Sequence, residues 1–399
     1  MSLGKKHVPT SCGEGAGGRV QKVDEGSAHA RPAIGDVSGA FADLGTFIPL
    51  VTGMVLLGGL DPSRVLVGFG IFAIATGVFY RRPVPVQPMK VVAALAIAGA
   101  IDANAVIASG IVIGVVLVVL AMTGLIERLQ TLVPKAVLHG VQLGLGATLI
   151  WAAAMLPKTS LPISAVLLLL LLGAQRTRLG SYSALGLIGC GLAYTFFLGA
   201  HDLPNVAFAL PSFAVIWPAW PDFVHSGYSV LLPQLAMTLT NAVLLTAILA
   251  SEYFPQSKDH ITTRNLALSS GFLNVVLAPF GAVPMCHGAG GLAAQYGQGA
   301  RTGLAPIIFG AFCLALAVMA GTSAMQWLMQ IPAEVIAALL AFAGVQLMSL
   351  NKLAVASRAS LVVVVATALV SLATNVAIGL VAGLVLARVS TAIRDFTRT

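Results

Sequence analysis

Long apolar runs, separated by short polar stretches, follow one another along almost the whole chain from about residue 34. Three of the runs, 85–99, 161–175 and 284–297, are short or interrupted. The others are long enough to cross a bilayer as helices, which takes roughly 17–25 apolar residues; they fall near 36–57, 64–80, 103–123, 134–156, 182–199, 230–250, 263–279, 304–323, 333–350, 355–372 and 374–391. The pattern predicts an all-α membrane protein with about fourteen membrane segments.

Two of the interrupted segments begin with similar motifs, "VPVQPMK" at 84–90 and "VPMCHGAGG" at 283–291. Pro85 and Pro88 cannot continue a helix, so the chain before Pro88 is predicted to be extended and a helix to start near it. In the second segment, residues 282–285 are predicted to be extended and "HGAGG" to open the helix. Each segment is therefore expected to contain a half-helix.

The two similar motifs belong to an internal repeat with an offset of about 198 residues. "VPKAVLHGV" at 133–141 resembles "IPAEVIAAL" at 331–339, with the same spacing. We expect two halves of seven segments, 34–199 and 228–393, joined by an outer loop at 200–227. An odd number of segments per half inverts the second copy, and such 7+7 inverted repeats are typical of secondary transporters.

Composition and charge agree with a membrane protein. The 399 residues are 58% hydrophobic and 9% charged, against roughly 25% charged in soluble domains. With the N-terminus inside, the predicted cytoplasmic stretches hold 19 of the 22 Lys and Arg residues, the outer loops hold Arg64 and Lys158, and Lys90 lies inside a span. The positive-inside rule then predicts cytoplasmic termini, and the cell (inner or plasma) membrane is the expected location.

The remaining features exclude several classes. The net charge of +8 has no soluble basic module to present it, so no nucleic-acid partner is expected. Four scattered cysteines without a CxxC spacing indicate neither a disulfide framework nor a metal site, and no cofactor or enzyme signature is found. The polar, Gly-rich residues 1–33 are predicted to be a disordered cytoplasmic tail. An organelle transit peptide is the alternative, with three acidic residues against it.

The two breaks predict an anion site, because helix N-termini aim free N–H groups and positive dipole ends at a ligand. Lys90 is the only basic residue inside a span, a functional indication, although a lysine snorkelling to the interface is the alternative. His287 is open to three roles, as a ligand, a proton carrier or a structural donor. The predicted substrate-binding residues are Gln87, Pro88, Met89, Lys90, Cys286, His287, Gly288, Ala289 and Gly290.

Four residues are predicted to support the site or couple transport to an ion: Asp43, Thr46, Thr238 and Asn241. Asp36 and Asp43 lie seven positions apart on one face of the first helix. Asp36 is expected to be interfacial and to cap its own helix. Gln234, Thr238 and Asn241 form the matching face in the other half, where polar residues also serve as contacts between helices.

Four motifs carry a family resemblance: "GDVSGAFADLGTFIPL", "PVPVQPMK", "LPQLAMTLTNAV" and "GAVPMCHGAGGLAAQYGQGARTG". They resemble the type-one molybdate transporter family, a branch of the sulfate-permease-like superfamily. The resemblance implies a core domain (segments 1–4 and 8–11), a gate domain (5–7 and 12–14), and no C-terminal regulatory domain. Related nucleobase symporters carry a glutamate where this chain offers Thr238, Thr240 and Asn241, which leaves the coupling group open.

The predicted function is secondary active uptake of molybdate across the bilayer. Two helix N-termini of about half a charge each, together with Lys90, roughly balance a dianion. The alternatives are a sulfate or broader oxyanion transporter of the same fold, and a passive anion channel. The coupling ion, a proton or sodium, and a homodimeric state are left open by the sequence.

Overall fold

The computed structural model describes residues 32–126, 133–177, 180–198, 214–257, 259–320, 323–348 and 358–396. The predicted tail, apart from its last two residues, and the predicted outer loop up to residue 213 lie outside these ranges. Within these ranges, five helical segments are long and apolar enough to cross a membrane, and the first of them, Ile34–Leu56, contains a turn at 41–43. Together with shorter apolar helices of 10–17 residues, they make an integral membrane protein, as the hydrophobic pattern predicts.

Helices and short strands follow one another through the first part of the chain. In order they are α1 (Pro32–Ala40), α2 (Leu44–Leu56), α3 (Pro62–Tyr80), β1 (Gln87–Pro88), α4 (Lys90–Ile97), α5 (Ala103–Thr123), α6 (Lys135–Ala154), α7 (Leu161–Ala174) and α8 (Ser183–Leu198). Asp61 and Asp102 begin α3 and α5 with side chains that accept from backbone N–H groups in the first turn, as good N-caps do.

The second part of the chain opens with α9, a continuous helical segment of 34 residues (Trp220–Tyr253). Two stretches of it, Gly227–Leu231 and Thr238–Leu245, are π-helical. The remaining elements are α10 (Thr263–Leu277), β2 (Met285–Cys286), α11 (Ala289–Gly297), α12 (Leu304–Ala320), α13 (Ala324–Met329), α14 (Ala333–Met348), α15 (Arg358–Ala373) and α16 (Val376–Phe396).

Two boundaries differ from the sequence predictions. The first span is not one helix, since the turn at 41–43 separates α1 from α2. The end of the predicted outer loop is helical, because α9 already begins at Trp220. The helix begins early for two reasons. A proline lies in its first two positions, and the Asp222 carboxylate accepts from the Ala219 N–H at 2.8 Å.

At three helix crossings in the described ranges, glycine lies against the backbone of another glycine, too close for a Cβ to fit. A Cβ built on Gly310 of α12 would lie 2.6 Å from the carbonyl oxygen of Gly70 on α3. The α10–α5 and α6–α14 crossings are equally tight, at Gly271 with Gly114 and at Gly344 with Gly146. Small residues allow such backbone contact between membrane helices.

The glycines of these crossings recur at similar spacings along the chain. Gly271 lies 201 positions after Gly70, Gly310 lies 196 after Gly114, and Gly344 lies 198 after Gly146. The α3–α12 crossing therefore has its counterpart in the α10–α5 crossing, and α6–α14 is its own counterpart. The spacing matches the offset of the sequence repeat.

Asp36 is fully buried in the protein, and the prediction that it caps its own helix is wrong. Its carboxylate accepts from the N–H groups of Arg301 at 2.8 Å and Thr302 at 3.0 Å, and from the Thr302 hydroxyl at 2.6 Å. The reason is that the chain entering α12 has unpaired N–H groups that need an acceptor. Asp36 thus ties α1 to the turn after α11.

We expect Asp36→Ala to destabilise the protein by about 2–4 kcal/mol, because buried donors to a carboxylate lose their acceptor. Thermal unfolding and monodispersity in detergent measure this effect. The control is Asp259→Ala, an exposed aspartate, which should leave the melting temperature unchanged. Equal melting temperatures for the two variants would contradict the anchoring role of Asp36.

Candidate functional site

The two breaks lie side by side and pair with each other. β1 and β2 are antiparallel, with Gln87 opposite Cys286 and Pro88 opposite Met285. The Met89 N–H extends the pairing to the carbonyl oxygen of Pro284 at 2.9 Å. Non-helical backbone at membrane depth needs such internal partners, and the repeat places two such segments where each satisfies the other.

Asn274 on α10 holds the second break in its extended conformation through two hydrogen bonds. Its side-chain amide donates to the Met285 carbonyl at 2.6 Å and accepts from the Met285 N–H at 2.8 Å. The extended conformation therefore continues further than the sequence predicts. The half-helices α4 and α11 begin at Lys90 and Ala289, rather than near Pro88 and at His287.

Both half-helices begin without a side-chain cap from their N-cap residues, Met89 and Gly288. In α4, the Val91 N–H donates to Gln234 Oε1 on α9 at 2.9 Å. Hydrogen bonds between described residues use none of the other N–H groups in the two first turns, those of Lys90, Val92, Ala289, Gly290 and Gly291. Two adjacent helix N-termini thus retain free donors and positive dipole ends.

Asp43 lies where the α1–α2 turn meets both half-helices. Its carboxylate accepts a hydrogen bond from the Gln87 amide and is attracted by the charge of Lys90. A Cβ built on Gly291 would lie 2.8 Å from Asp43 Oδ2, so the carboxylate rests against the first turn of α11. Asp43 and Lys90 are both partly exposed, as is Thr46 one turn along α2.

The glycines of the second break have different surroundings. A Cβ on Gly288 would overlap the side-chain amide of Gln87, whereas a Cβ on Gly290 would meet nothing within 4 Å. Gly290 is exposed, but Gly288 and Ala289 are buried. Gly288 therefore makes room for Gln87, and Gly290 is the position that leaves backbone open to a ligand.

His287 is fully buried, and both its ring nitrogens have protein partners. Nδ1 is 3.0 Å from the Pro85 carbonyl oxygen, and Nε2 is 2.8 Å from Ser269 Oγ. Ser269 Oγ in turn lies 2.8 Å from the Tyr80 hydroxyl. Both ring nitrogens of His287 are therefore engaged by protein groups, an arrangement that suits the structural role among the three that the sequence leaves open.

The polar face of α9 continues from the half-helices into a cavity. Gln234, which receives the Val91 N–H, donates to Thr238 Oγ1 at 2.9 Å. Asn241, one turn further, lines a cavity of about 580 Å³ between α9 and α6. Its polar and basic lining comprises Lys135, His139, Gln142, Thr240 and Asn241. The sequence placed Gln234 on this face, but its role as the acceptor for α4 depends on tertiary contact.

The structure thus brings together Asp43, Gln87, Lys90 and the first turn of α11. Thr238 is connected to this group through Gln234, whereas Asn241 lines the adjacent cavity. The buried side chains of Met89, Cys286 and His287 pack around the two strands. Two converging helix N-termini with one lysine and one carboxylate are suited to binding a polyatomic anion.

Comparison with solved structures shows which fold the chain has. The transmembrane domain of a cyanobacterial bicarbonate transporter, BicA, superposes with a TM-score of 0.62 at 17% identity, covering 89% of this chain and 98% of that one. Murine Slc26a9, an anion transporter in the inward-facing state, gives 0.66 at 13% identity over 90% of this chain and 68% of that one. The protein has the fold of these membrane transporters.

Sequence comparison identifies the family. The family described as "Molybdate transporter of MFS superfamily" matches residues 35–149 and 226–347. Molybdate transporters 2 and 1 of Arabidopsis thaliana are each 30% identical, over 89% and 88% of this chain and 87% of each relative. Molybdate transporter 1 of Chlamydomonas reinhardtii is 28% identical over 79% of this chain and 83% of its own length.

The chain belongs to this molybdate transporter family, which confirms the resemblance seen in its motifs. The function class is accordingly a transporter and not an enzyme. The family description names the MFS superfamily, whereas the structural similarity is to BicA and Slc26a9. The fold of the chain is that of BicA and Slc26a9.

We expect Gly288→Ala to lower the melting temperature, because the new methyl group displaces the Gln87 amide and breaks its bond to Asp43. Overpacking of this kind costs about 1–3 kcal/mol. The matched control is Gly290→Ala in the same half-helix, which has open space and should melt at or slightly above the wild-type temperature. An unchanged melting temperature for Gly288→Ala would show that Gln87 relocates freely.

Proposed function

We propose that this protein is a secondary active transporter that takes up molybdate, with the oxyanion held between the N-termini of α4 and α11 near the bilayer midplane. The observation that carries the proposal is that the N-termini of the two half-helices lie side by side. Neither N-cap residue supplies a side-chain cap, and Lys90 is the first residue of α4. Binding sites of secondary transporters are typically built from such discontinuous helices. The relatives that match over most of the chain are named as molybdate transporters.

The donors suit a tetrahedral dianion. Backbone N–H groups from two directions can bond several of its oxygens, and each helix end contributes about half a positive charge. Lys90 adds a full charge in the first turn of α4, on a half-helix whose next seven residues are buried. This placement favours a ligand-facing lysine over one that snorkels to the interface, which needs a position near a span end.

The spacing of the glycine crossings supports two inverted repeats of seven segments, 34–199 and 228–393. In this arrangement α1–α5 and α9–α12 form the core, and α6–α8 and α14–α16 form the gate. With both termini cytoplasmic, Lys135 lies on the cytoplasmic side, and the cavity between α6 and α9 is the exit path between gate and core. Alternating access then moves the gate against the core around a fixed site.

Uptake of labelled molybdate into proteoliposomes tests the proposal. Saturable accumulation against a gradient, driven by an imposed proton or sodium gradient, is the expected result. Excess sulfate should compete weakly if the site selects molybdate, and strongly if the protein is a broader oxyanion transporter. Flux that only follows the molybdate gradient would show a passive channel and overturn the active mechanism.

We expect Lys90→Ala to raise the apparent Michaelis constant for molybdate on the order of a hundredfold, since a buried charge that loses its partner costs about 2–4 kcal/mol. Lys90→Arg should recover part of the affinity but fit the space less well. Initial uptake rates over a range of molybdate concentrations measure both. Lys158→Ala, at an exposed lysine, is the control, and normal uptake by Lys90→Ala would make Lys90 a bystander.

We also expect Gly290→Val to abolish or severely weaken uptake, because the side chain would occupy the open space in front of the α11 first turn. Gly297→Val places the same side chain at the other end of the same half-helix, where a Cβ also meets nothing within 4 Å. The second variant should retain uptake, with both proteins equally abundant in the membrane. Wild-type uptake by Gly290→Val would place the anion elsewhere.

A further inference from the structure

The Asp43 carboxylate lies among the groups of the proposed anion site. It accepts from the Gln87 amide, it is attracted by Lys90, and its Oδ2 rests against the Gly291 turn of α11. A carboxylate in this position is an internal anion at an anion site. A second anion entering the site must therefore displace it, or the carboxylate must lose its charge.

We propose that Asp43 is the proton-coupling residue of this transporter, and that it takes up one proton when the oxyanion binds. The proton comes from the water on the side from which the anion enters and forms an O–H bond on the Asp43 carboxylate. The Gln87 amide and the Lys90 ammonium are then available to the oxyanion. Proton and anion cross together and are released together on the other side. This inference rests on the proposed function and names its coupling ion.

Charge balance favours this step. Lys90 and the two helix ends together supply about two positive charges, which match a dianion when Asp43 is neutral. With Asp43 ionised, the loaded site carries about one excess negative charge, and an unbalanced charge inside a membrane protein is costly. The empty site instead favours the ionised form of Asp43, because its negative charge then compensates the positive charge of Lys90. Protonation and anion binding are therefore linked.

The other ionisable groups around Asp43 are less suited to this role. Lys90 lies on α4, and Cys286 and His287 lie on the second break. Ionising the Cys286 thiol adds a further negative charge, and both ring nitrogens of His287 are already engaged. Tyr182, near the N-terminal end of α2, pairs with Ser38 instead. Asp36 accepts from Arg301 and Thr302.

Titration calorimetry of the purified full-length protein with molybdate tests the proposal. Measured at neutral pH in two buffers of different ionisation enthalpy, the binding heat gives the number of protons taken up. The wild type should take up about one proton per molybdate. Its affinity for molybdate should fall about tenfold for each unit by which the pH rises, in the range where Asp43 is ionised in the empty site. Asp43→Asn should bind molybdate with no proton uptake and an affinity independent of pH.

The matched control is Asp102→Asn, which makes the same chemical change at the exposed start of α5 and keeps the cap, since asparagine caps helices as well as aspartate. It should retain the proton uptake and the pH slope. Asp43→Glu keeps an ionisable group and should retain the proton uptake with altered affinity, which guards against misfolding of the asparagine variant.

The outcomes are distinguishable. Molybdate binding by the wild type without proton uptake would overturn the role of Asp43 and leave the proposed function standing. Binding that requires sodium and takes up no proton would do the same and name the other coupling ion. Proton uptake that persists in Asp43→Asn would assign the proton to another group. No molybdate binding by the wild type would overturn the proposed function itself, and this inference with it.

Discussion

The need to satisfy backbone polar groups at membrane depth governs the centre of this protein. Two segments leave the helical conformation inside the bilayer, where no water replaces the lost hydrogen bonds. Each provides the partner that the other lacks, through the pairing of Gln87 with Cys286 and the bond from Met89 to Pro284. The side chain of Asn274 supplies further partners to the second break. The pairing also fixes the half-helices with their N-termini adjacent, so the solution to a stability problem produces the candidate site.

The helices that surround this centre must then approach closely enough to hold it. Glycine crossings between α3 and α12, and between α5 and α10, bring the backbones into contact. These pairs connect the elements before and after each break, so the position of one half-helix depends on the other half of the chain. Asp36 completes the connection by tying α1 to the turn that follows α11. The site is thus built from both halves.

The sequence predicts the class, the two breaks and the candidate anion donors because proline, glycine and buried lysine have strong local meanings. It does not predict the partners of Asp36 and Asp43. The sequence predicts both on one helical face, yet one binds the Arg301 turn and the other binds Gln87. Only the tertiary packing decides which. The sequence also does not predict the turn at 41–43, since "FAD" contains neither proline nor glycine. His287 is similar, because its partners are Ser269 and a carbonyl 202 positions earlier.

Under the proposed function, charge cannot distinguish molybdate from sulfate, since both are tetrahedral dianions. Selectivity must then come from the size of the space and the positions of the donors. Gln87 fills the space at Gly288, and Asp43 and Gln87 fill it at Gly291, so these side chains set the wall of the site. Gly290 alone among the three faces open space. A neutral Asp43 that no longer attracts Gln87 as strongly would let this wall move. Proton uptake and the fit to a larger oxyanion would then be two consequences of the same hydrogen bond.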